Sequence, residues 1–272
     1  MRLATIRLGD RTAAVRVEGD TAVELGVPDV RAVLERGEWR SWAAAIDGPR
    51  HPSAAVDHAP LVPNPSKILC VGLNYRSHIL EMGRELPTHP TLFAKFADTL
   101  MGARDDLVLP AVSDEVDWEA ELGVVIGAGG KNIARGDALK HVFGYTVIND
   151  VSARDLQTAH MQFFKGKTLD TFCPIGPVVV TADEFGDPHT KQVTLRVNGV
   201  QKQNGNTSDM IFPIDVTIES LSRGWARTPK VFLAPGQVLR TVIERVGECV
   251  NTCVAEGDAM KDVDLAVAER RR

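Results

Sequence analysis

Several short stretches of this chain alternate apolar and polar residues, a period of two that sends successive side chains to opposite faces of a β-strand. The first of them, 3–8 and 13–17, flank Gly9-Asp10, a pair suited to a tight hairpin turn. Helical spacing follows at 30–34 and 41–46. Pro60, Pro63 and Pro65 then interrupt the pattern, so residues 1–62 are expected to form a small N-terminal α/β module, joined by a linker to a larger domain at 63–272. Beyond the linker, strands are predicted near 67–71, 106–109, 116–126, 142–149, 176–181, 193–197 and 237–246, and helices near 76–82, 133–141, 151–160 and 214–223. Strands dominate, which makes this part an α+β domain, mainly β, whose strands curl into a roll.

Within the 116–126 strand the alternation puts Trp118, Ala120 and Leu122 on one face and Asp117, Glu119 and Glu121 on the other. Like charges two residues apart repel unless a positive charge sits among them. Asp150, which ends the β-rich run 142–149, is the natural third carboxylate. It is also expected to start a helix as its N-cap, with Arg154 and Gln157 on the same face at i+4 and i+7. Glu119, Glu121 and Asp150 together form an all-oxygen set that selects Mg²⁺, Mn²⁺ or Ca²⁺ over zinc or copper. The competing reading of the same residues is an acidic surface that holds no ion.

Two further features carry candidate chemistry. The breaker-free segment 77–82 places His78 and Glu81 on one helical face, either as a surface pair or as a carboxylate-oriented imidazole able to activate water. Lys167, in an apolar and aromatic region, is either an exposed lysine or a cation held beside the carboxylates to stabilise an enolate oxygen.

Composition narrows the classes. The 272 residues carry a net charge of −5, which supplies no general attraction to nucleic acid or to an anionic membrane, and the terminal Arg270-Arg271-Arg272 reads as a solvated tail. No apolar run reaches the length of a membrane span and the first residues lack the apolar core of a signal peptide, so the expectation is a cytoplasmic protein. Cys70, Cys173, Cys249 and Cys253 are scattered as buried free thiols would be. Glycines at 127–130 and around Gly205 lack the companions of a phosphate loop or dinucleotide fingerprint and read as hairpin turns. No serine or cysteine nucleophile motif is present.

Several ungapped blocks, in order, resemble the fumarylacetoacetate hydrolase family. They are Lys67-Ile-Leu-Cys-Val-Gly-Leu-Asn-Tyr-Arg-Ser-His78-Ile-Leu-Glu81, Asp117-Trp-Glu-Ala-Glu-Leu-Gly-Val-Val-Ile-Gly127, Gly144-Tyr-Thr-Val-Ile-Asn-Asp-Val-Ser-Ala-Arg-Asp-Leu-Gln157, Gly166-Lys-Thr-Leu-Asp-Thr-Phe-Cys-Pro-Ile-Gly-Pro177 and the stretch from Val197 to Phe212. The resemblance implies the family's β-roll or mixed β-sandwich fold, a homodimer, and magnesium on Glu119, Glu121 and Asp150. It also implies His78, Glu81 and Lys167 as catalytic groups, the 76–82 helix as a lid, and Tyr75, Lys95, Arg154 and Gln157 as residues lining a pocket for a small oxo acid or diketone. Cleavage of a carbon–carbon bond in a 1,3-dicarbonyl or acylpyruvate-type substrate is the first expectation. Decarboxylation or isomerisation of a 2-oxo acid is the alternative. One departure stands out: 221–236 runs directly into a Phe-Leu-x-Pro-Gly stretch, without the Thr-Gly-Thr-Pro loop whose threonine holds substrate carboxylate in the family. That gap keeps a third expectation open, a repurposed biosynthetic or non-catalytic ligand-binding homologue.

Overall fold

The computed structural model describes residues 1–159, 162–223, 236, 238–243 and 247–253. They fall into two compact units divided after Gly224.

The first unit is built on one large sheet. Its strands lie in the order Ala120–Ile126, Val142–Asn149, Cys173–Thr181, Arg2–Leu8, Arg11–Glu18, Thr21–Glu24 and Arg50–Pro52, each antiparallel to its neighbours. Asp57–His58 adds to Arg2–Leu8, and Leu100–Met101 pairs in parallel with Cys173–Thr181. This is the mixed, mainly β architecture that the alternation predicts. Register explains the core: Ala4 faces Val15 and Ile6 faces Ala13, so these four share one side of the sheet and pack with Ala22 and Val56. Leu3 and Ala14 point the other way, towards Val30, Val33 and Ala43 on the helices Val30–Leu34 and Trp39–Ala45.

The boundary expected at residue 62 is crossed by both hydrogen bonding and packing. Arg2 and Leu3 pair with Val180 and Val179, and Leu3, Leu25 and Leu61 share a cluster with Phe143, Ile175 and Val179. A two-strand hairpin with one apolar face is marginal alone, and here a strand on the far side of the Pro-rich linker completes it.

Other expectations shift locally. The 106–109 stretch forms no strand: no neighbouring strand pairs with it, Val108 donates its backbone N–H to the Thr171 hydroxyl at 3.0 Å, and Leu107, Val108 and Leu109 are exposed. The 116–126 strand is broken at Trp118-Glu119 into Val116–Asp117, paired with Ser152–Ala153, and Ala120–Ile126. The 133–141 helix is a 3₁₀ segment, Arg135–His141, and the 151–160 helix shortens to Arg154–Ala159. The hairpin Gln192–Val197 and Val200–Asn206 turns at Asn198-Gly199, both at positive φ, rather than at Gly205, which lies inside the second strand. In the second unit, Val238–Ile243 pairs antiparallel with Gly247–Thr252. Cys70, Cys173 and Cys253 are free thiols; the Cys249 side chain and most of the segment missing the family's threonine loop, from residue 224 to 235, lie outside the described residues.

Candidate active site

Sheet register assembles the acidic cluster. Ala120 lies opposite Asn149, so the next residues outward, Glu119 and Asp150, face each other, and the Asp150 N–H donates to the Glu119 carbonyl at 2.8 Å. Glu121, two residues from Glu119, returns to the same face. Ligand atoms of Glu119, Glu121 and Asp150 lie within 4.8 Å of one another. The break in the strand is closed by side chains: the Asn149 amide oxygen accepts from the Glu119 N–H at 2.9 Å, and the Gln203 amide bonds both backbone groups of Ala120.

Asp150 is not a helix cap. It sits between the strands Val142–Asn149 and Ser152–Ala153, fully buried, and the helix begins only at Arg154. Its two carboxylate oxygens are taken by two buried lysines: Lys95 Nζ donates to Oδ1 at 2.7 Å and Lys167 Nζ donates to Oδ2 at 2.8 Å. Lys167 also donates to Glu119 Oε2 and Ser152 Oγ, each at 2.8 Å. Lys95 donates in addition to the backbone carbonyl of Lys167, which ties the two cations together. Burial works against the Lys167 charge, but Asp150 and Glu119 outweigh it and hold its pKa above the ordinary lysine value.

A close backbone approach delivers Lys167. Gly166 packs against the start of the preceding helix, Arg154–Ala159, so tightly that a Cβ there would lie 2.6 Å from the Ala153 carbonyl oxygen and 2.7 Å from the Gln157 nitrogen. Gly166→Ala is expected to cost about 1–3 kcal/mol through overpacking, read as a lowered denaturation midpoint at unchanged m-value.

Arg154 acts on the other side of the cluster. Its guanidinium reaches Asp117 Oδ2 at 2.8 Å, Glu119 Oε1 at 2.6 Å and the Gln157 amide oxygen at 2.9 Å. Glu119 is thereby held between Arg154 and Lys167. Glu121 is the carboxylate left over: among the described residues it has no hydrogen bond or ion pair. Burial, then Asp150 and Glu119, push its carboxyl up to about 8. Three convergent carboxylates, one of them short of a positive charge, fit a hard divalent cation.

The helix Arg76–Glu81 is anchored beside this cluster by Asn74, which exchanges hydrogen bonds with the Phe212 backbone, and by Ser77, which donates twice to Asp209. Burial, then Glu121 and Asp209, push the Tyr75 phenol up to about 12, so it stays a hydrogen-bond donor. His78 and Glu81 are both exposed and make no hydrogen bond to each other. The family resemblance implies Lys95 only as a pocket-lining residue and gives no role to Ser152, Asn149 or Gln203. Only Asn149, adjacent to Asp150, offered any signal in the sequence, since the others reach the cluster through the fold.

A family model described as "Fumarylacetoacetate (FAA) hydrolase C-terminal" matches residues 67–254. The chain belongs to the fumarylacetoacetate hydrolase family. The matched region starts just beyond the Pro-rich linker. Among similar family members, "Oxaloacetate tautomerase fahd2, mitochondrial" of Xenopus laevis is 40% identical over 267 residues, covering 87% of this chain and 84% of that protein. "Oxaloacetate tautomerase YisK" of Bacillus subtilis (strain 168) is 44% identical over 217 residues, covering 71% of each. The crystal structure of a putative HpcE protein from Mycobacterium smegmatis is 36% identical, with a TM-score of 0.75 over 94% of this chain and 100% of that one. The frog protein is named as mitochondrial, in contrast to the cytoplasmic expectation for this chain. No helix among the described residues is long and apolar enough to cross a membrane.

Proposed function

We propose that this family member is a divalent-metal enzyme that interconverts the keto and enol forms of a 2-oxo acid, with Mg²⁺ as the cation and oxaloacetate as the first substrate to test. A contrast within the site carries the reading. The Glu119–Lys167–Asp150 assembly is complete, whereas His78 and Glu81, the pair that hydrolysis needs to activate water, are exposed and unbonded to each other. Tautomerisation moves a proton and needs no attacking water. Both relatives named above are tautomerases, which supports the same reaction class.

When bound, a divalent cation supplies Lewis-acid polarisation of the substrate's 2-oxo and carboxylate oxygens. Glu119, Glu121 and Asp150 would hold it. Lys167, whose three N–H groups hold Glu119, Asp150 and Ser152, would act on the oxygen that gains negative charge in the enolate through the positive charge it keeps in the cluster. Lys95 holds Asp150 in place, and Arg154 does the same for Glu119. The Gln157 amide nitrogen and the Tyr75 hydroxyl remain to donate to substrate oxygens. His78 serves only as an auxiliary proton carrier at the C3 carbon, and Glu81 takes the part of its orienting partner only in the hydrolytic reading below. A cytoplasmic homodimer completes the proposal.

Hydrolysis of an acylpyruvate-type carbon–carbon bond is the second reading, favoured by His78 and Glu81 lying on one exposed face of Arg76–Glu81. The two separate experimentally. His78→Ala is expected to lower any acylpyruvate cleavage about 100-fold or more, the usual contribution of a general base. Tautomerisation of oxaloacetate, followed by loss of enol absorbance with Mg²⁺ present, should fall by no more than about tenfold. Equal loss of both activities would make His78 the principal base and restore hydrolysis as the leading reading. Mg²⁺-dependent binding of 2-oxo acids with no turnover would instead point to the non-catalytic homologue.

A further inference from the structure

We propose that the site continues into an aromatic subsite able to receive a planar, uncharged group on the far end of a substrate, so that 2-oxo acids with an apolar end are accepted in addition to oxaloacetate. The inference rests on the metal-based reading above and adds the substrate class to it.

Strand register supplies the connection. Thr91–Lys95 pairs with Ile68–Gly72, and residues two apart on it share a face, so Phe93 projects to the same side as Lys95, whose ammonium holds Asp150. The Lys167 ammonium lies 5.0 Å from the Phe93 ring centroid. One face of Phe93 therefore borders the charged cluster. Phe93 also lines a cavity of about 580 Å³ with Leu92, Phe96, Phe163 and Phe164, and Phe163 meets it edge-on at 5.8 Å. The volume falls within the range of about 300–1,000 Å³ typical of small-molecule clefts.

The chemistry of the walls selects the occupant. Among the described residues the lining includes no charged side chain; Thr91 and Gln162 are its polar members. A carboxylate placed there would find only the neutral groups of Thr91 and Gln162 and no cation, whereas a planar apolar group would stack against or meet the edges of the rings. Phe96 and Phe164 form an edge-to-face pair at 6.5 Å and remain 54% and 44% exposed, so the cavity opens to solvent beside them. Large rings left exposed next to a charged reaction centre are accounted for by a ligand that covers them.

Pyruvate and phenylpyruvate share the 2-oxo acid head and differ by one ring, so calorimetric titration of the whole protein with each, with and without Mg²⁺, tests the subsite. With Mg²⁺ present, phenylpyruvate is expected to bind about tenfold or more tightly than pyruvate, the gain from burying much of one aromatic ring. In Phe163→Ala and in Phe96→Ala, whose half-exposed ring is removed with little risk to folding, the ratio of the two affinities should collapse towards one. A ratio near one in the unmodified protein, or a ratio that both variants leave intact, overturns the subsite while the metal reading stands. A preference for phenylpyruvate that collapses in the variants, with no Mg²⁺ effect on either ligand, overturns the metal reading and spares the subsite. Failure of both ligands to bind overturns both.

Discussion

Replacing Lys167 with glutamine is expected to slow Mg²⁺-dependent tautomerisation of oxaloacetate by about 100- to 1,000-fold, the scale of loss when one preorganised electrostatic group beside a developing oxyanion is removed. The reason is positional. Lys167 Nζ is 2.8 Å from both Glu119 Oε2 and Asp150 Oδ2, is 2% exposed as a residue, and keeps its proton because those two carboxylates outweigh burial. Water cannot substitute for it there, and a neutral amide supplies a dipole where the enolate needs a charge. The matching control is Lys95, which bonds the opposite oxygen of Asp150 but is turned towards backbone carbonyls. Steady-state rates with circular dichroism on the same samples separate lost chemistry from lost fold. A Lys167→Gln protein that folds and turns over within a few-fold of the parent would remove Lys167 from the mechanism.

Glu121→Ala is expected to weaken Mg²⁺ or Mn²⁺ binding by more than about 100-fold, beyond the 10- to 100-fold that loss of an outer-shell partner produces. The fold should survive, because the variant also relieves repulsion among three carboxylates. Glu121 has a second signature in the metal-free protein. Its carboxyl is raised from 4.5 to about 8, so between those values the folded protein holds a proton that the unfolded chain releases. Folding stability contributed by that proton is fully present below about pH 4.5 and is lost as pH rises through about 8. Metal-free stability at this residue should accordingly decline over that window, and Glu121→Gln, which cannot titrate, should flatten the decline. Denaturant melts at closely spaced pH values in chelator give the comparison. An unchanged slope in Glu121→Gln, together with unaltered metal affinity in Glu121→Ala, would remove Glu121 from the centre.

Much of the candidate site is legible in the linear chain because it depends on strand periodicity. Glu119 and Glu121 are two apart, and Asp150 follows a run whose β character is plain, so a facing pair of strands brings the three together without further information. The helix expected from Asp150 fails because Ser152 and Ala153 find strand partners in Asp117 and Val116, a long-range pairing that local helix signals do not report. Arg154 nonetheless reaches Gln157 and Glu119, since its position one turn later depends on the helix that does form.

The family blocks, the acidic triad and the mainly β character are all legible in the linear chain, because they are properties of residues close together or spaced by a strand's period of two. Tertiary structure alone decided which cations neutralise the triad. Lys95 and Lys167 are 55 and 17 residues from Asp150 and meet its two oxygens only because separate elements converge on one buried point. It also joined the N-terminal strands to the main sheet, where edge strands on either side of the linker satisfy each other's backbone groups and share one apolar layer. Lastly, it placed Phe93 between the ammonium of Lys167 and an uncharged cavity. An isolated phenylalanine in a strand reads as core, and only the arrangement of neighbours around it distinguishes a packed ring from the wall of a binding site.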